Sequence, residues 1–496
     1  MKLRLRTRAP DAIPAAWKPL TLLAAIALVA GSGTIVRGRP ATVVPAGEAS
    51  RESIAVEERE GEPGSNTERI VEEARNPARP GLACAAGRNG GSTDEGVTGT
   101  SIRLGATVVD SGIGASFLRD ARYSMLAVAN RVNRAGGICG RRLELELVDD
   151  EWDFQRGGQF IQNLVEGEKV FALAVVPSSE GLKNVSDSGY LARQGVPVVG
   201  SDGMLIHQYE DPYIWPVAAS TISTMHIMAK HAYERLGARS FAIVYEHTYH
   251  FGTEGARAFE AAVRRLTGEG VPGYSDPLTD PRCERRFCGI DARASNFSTE
   301  VATISNDCIQ QEPKCDFVAL LLEPATALAW MKQGGLGPEL PGRNAGGVQP
   351  LFTRAFAEEC GQRCDGLWLW TGYDPPIGAA LGRPAIARYV RDLQQTKSTV
   401  DFTNTFVEGA YIGMSLLVEA FRRVGPDLTR ERLKDALDAI TFRSGLTDPL
   451  RWRPGDHFAN VRMRAYSIQY KGRFAGWRDE LTTVRDPWVG MDIPER

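Results

Sequence analysis

Short apolar runs alternate with segments of helical spacing between residues 102 and 474, and this alternation constrains the fold more than any other feature. Residues 102–109 form a compact apolar run, residues 120–133 carry helical spacing, and residues 143–148 alternate leucine with glutamate before a valine. The same order of strand and helix returns between residues 221 and 439. Strands that alternate with helices indicate parallel sheets covered on both faces.

The chain is longer than one hydrophobic core usually serves, because it has 496 residues. We therefore predict an α/β fold class with two doubly wound parallel-sheet lobes. In such sheets, ligands collect beyond the carboxyl ends of the strands. The loops that follow the predicted strands are 110–117, 149–153, 177–180, 200–204, 246–252 and 323–325.

The first residues have the pattern of an export signal. A basic segment, 1–18, precedes residues 19–36, which carry no charge. We interpret 1–18 as a cytoplasmic n-region and 19–36 as an uncleaved signal anchor or a cleaved signal peptide. The basic side stays in the cytoplasm, so the rest of the chain is expected in the cell envelope, anchored to the membrane or secreted. Residues 37–96 are rich in Gly, Pro, Ala, Glu and Arg, which predicts a flexible extracytoplasmic stalk.

The chain has eight cysteines, and an even number in an exported protein favours disulfides. Three pairs are close in sequence, which leaves Cys84 and Cys139 for each other. The close pairs are Cys283 with Cys288, Cys308 with Cys315, and Cys360 with Cys364. A zinc site is the alternative, but the sequence contains no C-x-x-C motif, so no metal is predicted.

Charge and motifs argue against several classes of protein. The net charge is −3 and no basic cluster follows the first residues, so a nucleic-acid partner is not expected. The sequence lacks G-x-S-x-G, H-E-x-x-H and P-loop motifs, and we predict neither an enzyme nor a cofactor. His247 and His250 beside Glu246 resemble a metal-binding fragment, but a solvent-facing or internally satisfied role is favoured. The acidic run 149–153 resembles a catalytic or cation cluster, and a structural role is favoured.

Six segments match a known family in order along the chain. They are IRLGATVVDSG at 102–112, NRVNRAGGICGRRLELELVDDEWD at 130–153, VPSS at 176–179, GVPVVGSDG at 195–203, LGARSFAIVYEHTYHFGTEG at 236–255 and EGAYIGMSLLVEAFRRVG at 408–425. These segments resemble the branched-chain amino-acid-binding (Leu/Ile/Val-binding) family of ABC-transporter substrate-binding proteins, which has the type I periplasmic-binding-protein fold. The resemblance implies two lobes joined by a hinge of three crossings. It assigns 97–220 with 348–440 to one lobe, and 221–347 with 441–496 to the other.

The resemblance also implies which residues contact a small-molecule ligand. They are Phe117, Trp152, Ser178, Ser179, Ser201, Asp202, Gly203, Phe251, Glu323 and Tyr373. Hydroxyl groups and loop amides would replace the water that a polar ligand loses on burial, and aromatic rings would cover its apolar part.

Two departures from the family concern the ligand. Asp202 brings a negative charge into the loop that binds a ligand carboxylate, where an anion would be repelled unless Asp202 turns away or is protonated. The glutamate that holds a ligand ammonium has no clear match in residues 342–351. We therefore expect a ligand other than an ordinary branched-chain amino acid. Trp152 and Phe251 would suit a more aromatic or hydrophobic compound.

The leading hypothesis is an extracytoplasmic solute-binding protein that captures an amino-acid-like or other small organic solute for an ABC permease. The first alternative is a membrane-anchored ligand sensor of the same fold, tethered through residues 19–36. The second is a cell-surface hydrolase. Neighbouring genes for permease and ATPase subunits would favour transport, whereas turnover that substitution of Ser178 abolishes would favour hydrolysis.

Overall fold

A computed structural model describes Cys84 and residues 89–471, 474–479 and 484–489. These residues belong to one unit, Asn76–Arg496. The predicted n-region, the predicted anchor and nearly all of the predicted stalk up to residue 88 lie outside the described residues. In the part of the chain that is described, no helix is both long and apolar enough for a membrane span.

The first sheet has five parallel strands in the order β2-β1-β3-β4-β5. They are β1 (Ser101–Val108), β2 (Arg142–Asp149), β3 (Ala172–Val176), β4 (Val198–Ser201) and β5 (Ile214–Trp215). Leu104 in the middle of β1 pairs with Leu145 of β2 and with Ala172 of β3. The strand order reverses between β1 and β3, which is the point where doubly wound sheets bind ligands.

The second sheet runs β15-β14-β11-β10-β9-β6-β8-β7, and β16 pairs with β14. Its strands are β6 (Phe241–Glu246), β7 (Cys283–Glu284), β8 (Phe287–Ile290), β9 (Phe317–Leu321), β10 (Ala345–Gly347), β11 (Trp368–Thr371), β14 (Arg462–Lys471), β15 (Phe474–Asp479) and β16 (Val484–Arg485). The strands from β8 to β11 are parallel, and β14 and β7 add antiparallel edges. A separate pair joins β12 (Thr441–Phe442) to β13 (Leu450–Arg451).

Helices cover both faces of each sheet. They are α1 (Ala115–Leu118), α2 (Ala121–Arg134), α3 (Phe154–Glu166), α4 (Ser179–Asp187), α5 (Tyr190–Gln194), α6 (His207–Glu210), α7 (Thr221–Glu234), α8 (His250–Thr267), α9 (Ser298–Ser305), α10 (Pro324–Lys332), α11 (Arg354–Cys360), α12 (Pro384–Gln394), α13 (Thr405–Val424) and α14 (Arg430–Ala439). One face of the first sheet packs on α2, α12, α13 and α14, and the other packs on α3, α4 and α5. The predicted α/β fold class is confirmed, and the strands are buried because helices cover them on both sides.

The chain crosses between the lobes at two positions that differ from the predicted boundaries. Strand β11 pairs with β10 and β14, so the chain stays in the second lobe beyond residue 348, until about residue 372. Residues 441–460, predicted in the second lobe, lie in the first. Phe442, Leu450 and Trp452 are buried in its core, and the Trp452 indole donates to the Pro216 carbonyl at 2.9 Å.

The last residues of the predicted stalk are held against the first lobe. Arg141 is fully buried and its guanidinium donates hydrogen bonds to the carbonyls of Asn89, Gly91, Thr98 and Pro426. A buried guanidinium needs such acceptors, and this requirement orders the backbone at 89–96 that composition alone assigns to a flexible segment. Four disulfides join the pairs that the sequence spacing favours: Cys84–Cys139, Cys283–Cys288, Cys308–Cys315 and Cys360–Cys364.

Candidate ligand-binding site

Five aromatic rings meet where the strand-end loops of the two lobes face each other. We call Phe117, Trp152, Tyr249, Phe251 and Phe406 the aromatic cluster. Trp152 of the first lobe stacks on Tyr249 of the second, with ring centroids 4.4 Å apart and planes inclined by 23°. Phe251 lies 5.7 Å from Trp152, and Phe117 contacts both Trp152 and Phe406 at 5.4 and 5.3 Å. The cluster therefore joins the lobes through apolar contact.

The backbone of the loop after β2 turns Trp152 toward the second lobe. Glu151 and Trp152 both have left-handed backbones, with φ of 58° and 62°. Non-glycine residues adopt this conformation at a cost, which is usually met at functional sites. The Asp150 carboxylate accepts the Trp152 backbone N–H at 3.0 Å, and the indole N–H donates to the Ser179 hydroxyl at 3.2 Å. These two bonds fix the ring.

The Asp202 carboxylate is buried within a shell of hydrogen-bond donors. Its Oδ2 accepts the Ser179 N–H at 3.0 Å, and its Oδ1 accepts the Met204 N–H at 3.1 Å and the Gln208 side-chain amide at 2.8 Å. Burial nevertheless raises the pKa of Asp202 to about 6, and the hydrogen bonds from Gln208, Met204 and Ser179 oppose that rise. Asp202 is therefore ionised at neutral pH.

Gln208 links the polar residues of this loop. Its side-chain oxygen accepts the Ser201 hydroxyl and the Gly203 N–H, the latter at 2.9 Å. Gly203 has φ of 75°, and a Cβ at this position would lie 2.2 Å from the Ala218 Cβ. Only glycine fits there, so the loop that carries Ser201 and Asp202 has one permitted path.

A narrow cavity, too tight in this structure for a water molecule, adjoins the aromatic cluster at the ends of β3 and β4. Its lining residues are Val175, Pro177, Ser201, Asp202, Tyr373, Thr405, Phe406, Gly409 and Ala410. Phe406 belongs to both the cavity wall and the aromatic cluster. The cavity therefore joins the apolar contact between the lobes to the polar loop of the first lobe.

Of the predicted ligand contacts, Ser201, Asp202 and Tyr373 line the cavity, and Phe117, Trp152 and Phe251 belong to the aromatic cluster. Ser179 and Gly203 do not line the cavity. The Ser179 N–H donates to Asp202, and the Gly203 N–H donates to Gln208. Ser178 is fully buried and its hydroxyl lies beside the Asp150 carboxyl.

Glu323 lies at the start of α10. Its oxygens accept the Ala325 N–H at 2.8 Å and the Thr326 hydroxyl at 2.6 Å, an N-cap arrangement. Its own N–H donates to the buried Glu246 side chain at 2.7 Å. Burial raises the pKa of both carboxyls, and for Glu246 the neighbouring Glu323 raises it further. The carboxylate of Glu323 is thus engaged by its own helix.

The lobes also make polar contacts beside the cluster, through α4 and α8. Glu180 accepts the His250 backbone N–H at 2.8 Å and pairs with its ring Nδ1 at 2.6 Å. The Glu254 carboxylate accepts the Ile206 N–H at 2.9 Å. His250 thus has an internal partner, one of the two roles that we favoured for it over metal binding.

The acidic run after β2 has structural partners. Asp149 accepts the Asp110 N–H at 2.9 Å and the Ser111 hydroxyl at 2.6 Å, which ties this loop to the one after β1. Asp153 caps α3 by accepting the Arg156 N–H at 2.8 Å. These contacts agree with the structural interpretation of the run.

Sequence reasoning missed Tyr249, Gln208 and Phe406. Tyr249 lies in loop 246–252, which the strand pattern does identify, but the family resemblance selects Phe251 there. Phe406 is at the second position of a helix that reaches the site from the far end of the chain. Gln208 lies seven residues after Ser201 on a separate short helix, and only the folded geometry brings the two together.

Comparisons with known proteins agree with this architecture. A family model described as periplasmic binding protein matches residues 101–473. Among solved structures, the chain is similar to a fatty acid ABC transporter substrate-binding protein from Thermomonospora curvata, with 17% identity and a TM-score of 0.63 over 80% of this chain and 95% of that one. It is also similar to an ABC transporter solute-binding protein from R. palustris in complex with 4-hydroxybenzoate, with 16% identity and a TM-score of 0.64 over 79% of this chain and 99% of that one.

A third similar structure is a possible leucine/isoleucine/valine-binding protein from Rhodopirellula baltica SH 1, with 16% identity and a TM-score of 0.62 over 76% of this chain and 96% of that one. At these identities the structural likeness shows the fold alone. No match was found among curated proteins. The family model spans most of the chain, however, and the predicted resemblance is confirmed: the protein belongs to the periplasmic binding protein family.

Proposed function

We propose that this protein is an extracytoplasmic receptor that captures a small organic solute between its lobes, leaves it chemically unchanged and delivers it to an ABC permease. One observation carries the proposal: the aromatic cluster and the polar loop of Ser201 and Asp202 meet at the facing strand ends of two lobes. Small-molecule sites typically combine apolar walls with a few well-placed polar groups. Membership of a family of binding proteins supports the same role.

Capture requires the lobes to separate. In this structure the cavity has no space for a sphere the size of a water molecule, whereas typical ligand pockets measure roughly 300–1,000 Å³. The Trp152–Tyr249 stack and the Glu180–His250 contact both cross between the lobes, so opening breaks them together. Hinge motion about the chain crossings admits the ligand, which then separates the rings of the cluster or fills the space beside them.

The ligand is other than an ordinary branched-chain amino acid. The rings of the aromatic cluster would cover an apolar or aromatic body. Calorimetry against a panel of amino acids tests this part of the proposal, and micromolar binding of leucine would remove it. The transport role predicts that deletion of the gene abolishes uptake of the bound solute.

Native mass spectrometry of the purified protein tests capture directly, because a tightly held solute should be carried through purification. Phe117→Leu should then weaken binding of that solute at least about fivefold, because it removes one ring of the cluster. The matched control is Phe171→Leu. Phe171 is equally buried in the first lobe, against Phe421 5.9 Å away and outside the cluster. Equal effects of the two changes would contradict the proposed site.

We further propose that residues 19–36 tether the receptor to the membrane. A tether keeps a receptor at a high effective concentration near its permease. Extraction of membranes with alkaline carbonate should leave the full chain in the pellet. Release of the intact chain into the supernatant would exclude an anchor.

A further inference from the structure

We infer that Asp202 makes the cleft selective for a ligand with a positively charged amine head and closes it to carboxylates. This inference rests on the proposed solute-binding function and names the chemical class of the solute. It comes from the direction in which the hydrogen bonds around the cavity run.

Three donors around Asp202 that would hold an anionic ligand are already used. The Ser179 N–H stands at the first turn of α4, where a helix favours negative charge. Together with the Met204 N–H and the Gln208 amide, it binds the carboxylate of Asp202. The Asp202 carboxylate therefore occupies the position in which these donors would bind an anionic ligand.

Apart from Tyr373, whose hydroxyl can donate as well as accept, the polar side chains that line the cavity present acceptors. A carboxylate has about four acceptor positions: the Ser179 and Met204 N–H groups and the Gln208 amide fill three on Asp202, and the Ser179 hydroxyl, which also bonds to it, is the donor that a guest would replace. The Ser201 hydroxyl donates a hydrogen bond to the Gln208 side-chain oxygen, and the Thr405 hydroxyl donates one to the Gln349 carbonyl at 3.4 Å. Their lone pairs remain for a guest, so the cavity calls for a hydrogen-bond donor.

The charge of the cavity lining also favours a cationic ligand over an anionic one. The nine lining residues include one carboxylate and neither a lysine nor an arginine. A guest carboxylate would meet the Asp202 charge in a desolvated space without a counter-ion, which is unfavourable. An ammonium group pairs with Asp202, and the rings of Tyr373 and Phe406 add cation–π attraction.

Matched triads of probes test the inference with the full-length protein. The first triad is benzylamine, benzyl alcohol and benzoate, and the second is phenethylamine, 2-phenylethanol and phenylacetate. We expect calorimetry to give at least about tenfold tighter binding for the amine than for the carboxylate in each triad. Asp202→Asn, which keeps the shape of the side chain, should lower that ratio to about one. Asp202→Ser, which also frees the Ser179 and Met204 amides, should favour the carboxylate.

The control is Asp211→Asn. Asp211 is a buried carboxylate of the same lobe that accepts the Tyr213 N–H and the Ser186 hydroxyl and does not line the cavity. This variant should keep the preference for amines. Circular dichroism melts verify that each variant is folded, and the three variants report independently if one of them is not.

Three outcomes would overturn the inference: carboxylates that bind as tightly as amines, a preference that Asp202→Asn leaves unchanged, or no binding of any amine. Selective binding of an acid or an alcohol would do so while the proposed function stands. If no probe binds and native mass spectrometry finds no guest, the proposed function fails as well.

Discussion

At the scale of single residues, the charge of Asp202 predicts how binding depends on pH. Burial raises its pKa to about 6, so the carboxylate is ionised at pH 7.5 and mostly protonated at pH 5. The Asp202 charge acts on Tyr209 and Tyr373, whose pKa values burial raises well above 10, so both stay neutral in this range. Burial also raises the pKa of Glu408, which acts on Tyr373, well above its usual value. Amine binding should weaken about tenfold from pH 7.5 to pH 5, because protonation removes the attracting charge.

Calorimetry at the two pH values measures that change. Asp211 provides the control, because burial also raises its pKa, yet it lies outside the cavity lining and the aromatic cluster. Asp211→Asn should keep the pH dependence, whereas Asp202→Asn should abolish it. A pH dependence that persists in Asp202→Asn would assign it to another group.

Arg141 shows how one buried side chain holds residues 89–98 against the first lobe. It bonds four backbone carbonyls, three of them at 2.8, 2.9 and 2.8 Å. Arg141→Lys keeps the charge but not the planar fork, and it leaves some of these carbonyls unpaired. The free energy of unfolding should fall by about 3 kcal/mol, measured by chemical denaturation. Arg142→Lys, at the exposed next position, should change it by less than about 0.5 kcal/mol, and equal effects would contradict this role.

The residues of the site were predictable to different degrees. Loop position and family resemblance together identify Ser201, Asp202 and Trp152, because each follows a strand that its own apolar pattern reveals. They do not reveal that the donors around Asp202 are bound to its carboxylate. That arrangement depends on Gln208 and on the backbone amides of two loops. Directions of hydrogen bonds are a property of folded geometry, and no sequence spacing encodes them.

At the scale of elements, the contact between α4 and α8 should make lobe closure sensitive to pH. The hydrogen bond that the His250 ring donates to Glu180 raises the pKa of His250 above 6.5, so this contact is strongest below that pH and weakens as the pH rises through the raised value. Burial raises the pKa of Glu254 to about 7, so its ionisation also opposes the contact as the pH rises toward 7. Lys183 and His207 face the same groups.

Both shifts therefore favour contact of the lobes at lower pH. Small-angle scattering of the unliganded protein should give a larger radius of gyration at pH 8.5 than at pH 6. Glu180→Gln should reduce the difference, whereas Glu234→Gln, in an exposed pair with Lys230 on α7, should leave it intact. An unchanged or smaller radius at pH 8.5 would show that closure does not depend on this contact.

Most elements with a strong apolar period were predicted within a few residues: the run 143–148 became β2 (Arg142–Asp149), and the segment 406–424 became α13 (Thr405–Val424). Strand β10 was missed because its sequence, Ala-Gly-Gly, has no strand-forming side chains. Its glycines are required by packing, since a Cβ on Gly346 would lie 2.7 Å from Phe317 and 2.8 Å from Trp370. The neighbouring rings fill that space, which single-sequence propensity cannot register.

At the scale of the whole molecule, the sequence predicts two lobes but places two of the crossings between them too early. Periodicity identifies a strand such as β11 without stating which sheet it joins. Membership is decided by pairing with β10 and β14. Strand β10 ends 21 residues before β11 begins, and β14 begins 91 residues after β11 ends. Residues 441–460 likewise belong to the first lobe, because Trp452 is buried in its core. Such long-range choices lie outside any local pattern.

The three segments that cross between the lobes meet at Asn460, near Val217 and Gly372. This contact predicts how substitutions at the hinge affect stability. The Asn460 amide donates to the Val217 carbonyl at 3.0 Å and to the Gly372 carbonyl at 3.2 Å, so one side chain binds all three segments. Asn460→Ala should lower the free energy of unfolding by about 1–3 kcal/mol, because the Val217 carbonyl loses this donor and the Gly372 carbonyl keeps only the Thr447 hydroxyl. Gly372→Ala should act on the same contact, since its Cβ would lie 2.6 Å from the Asn460 amide nitrogen.

The two changes should therefore be coupled rather than additive. In a double-mutant cycle measured by chemical denaturation, Gly372→Ala should cost less in the Asn460→Ala background, by about 1 kcal/mol, because the clashing amide is gone. Asn344→Ala removes a comparable side-chain bond, to the Asp316 carbonyl at 3.1 Å, away from the crossings, and should add independently to Gly372→Ala. Strict additivity in both cycles would mean that the crossings move as separate strands, whereas coupling confined to Asn460 identifies it as the residue through which the lobes share one hinge.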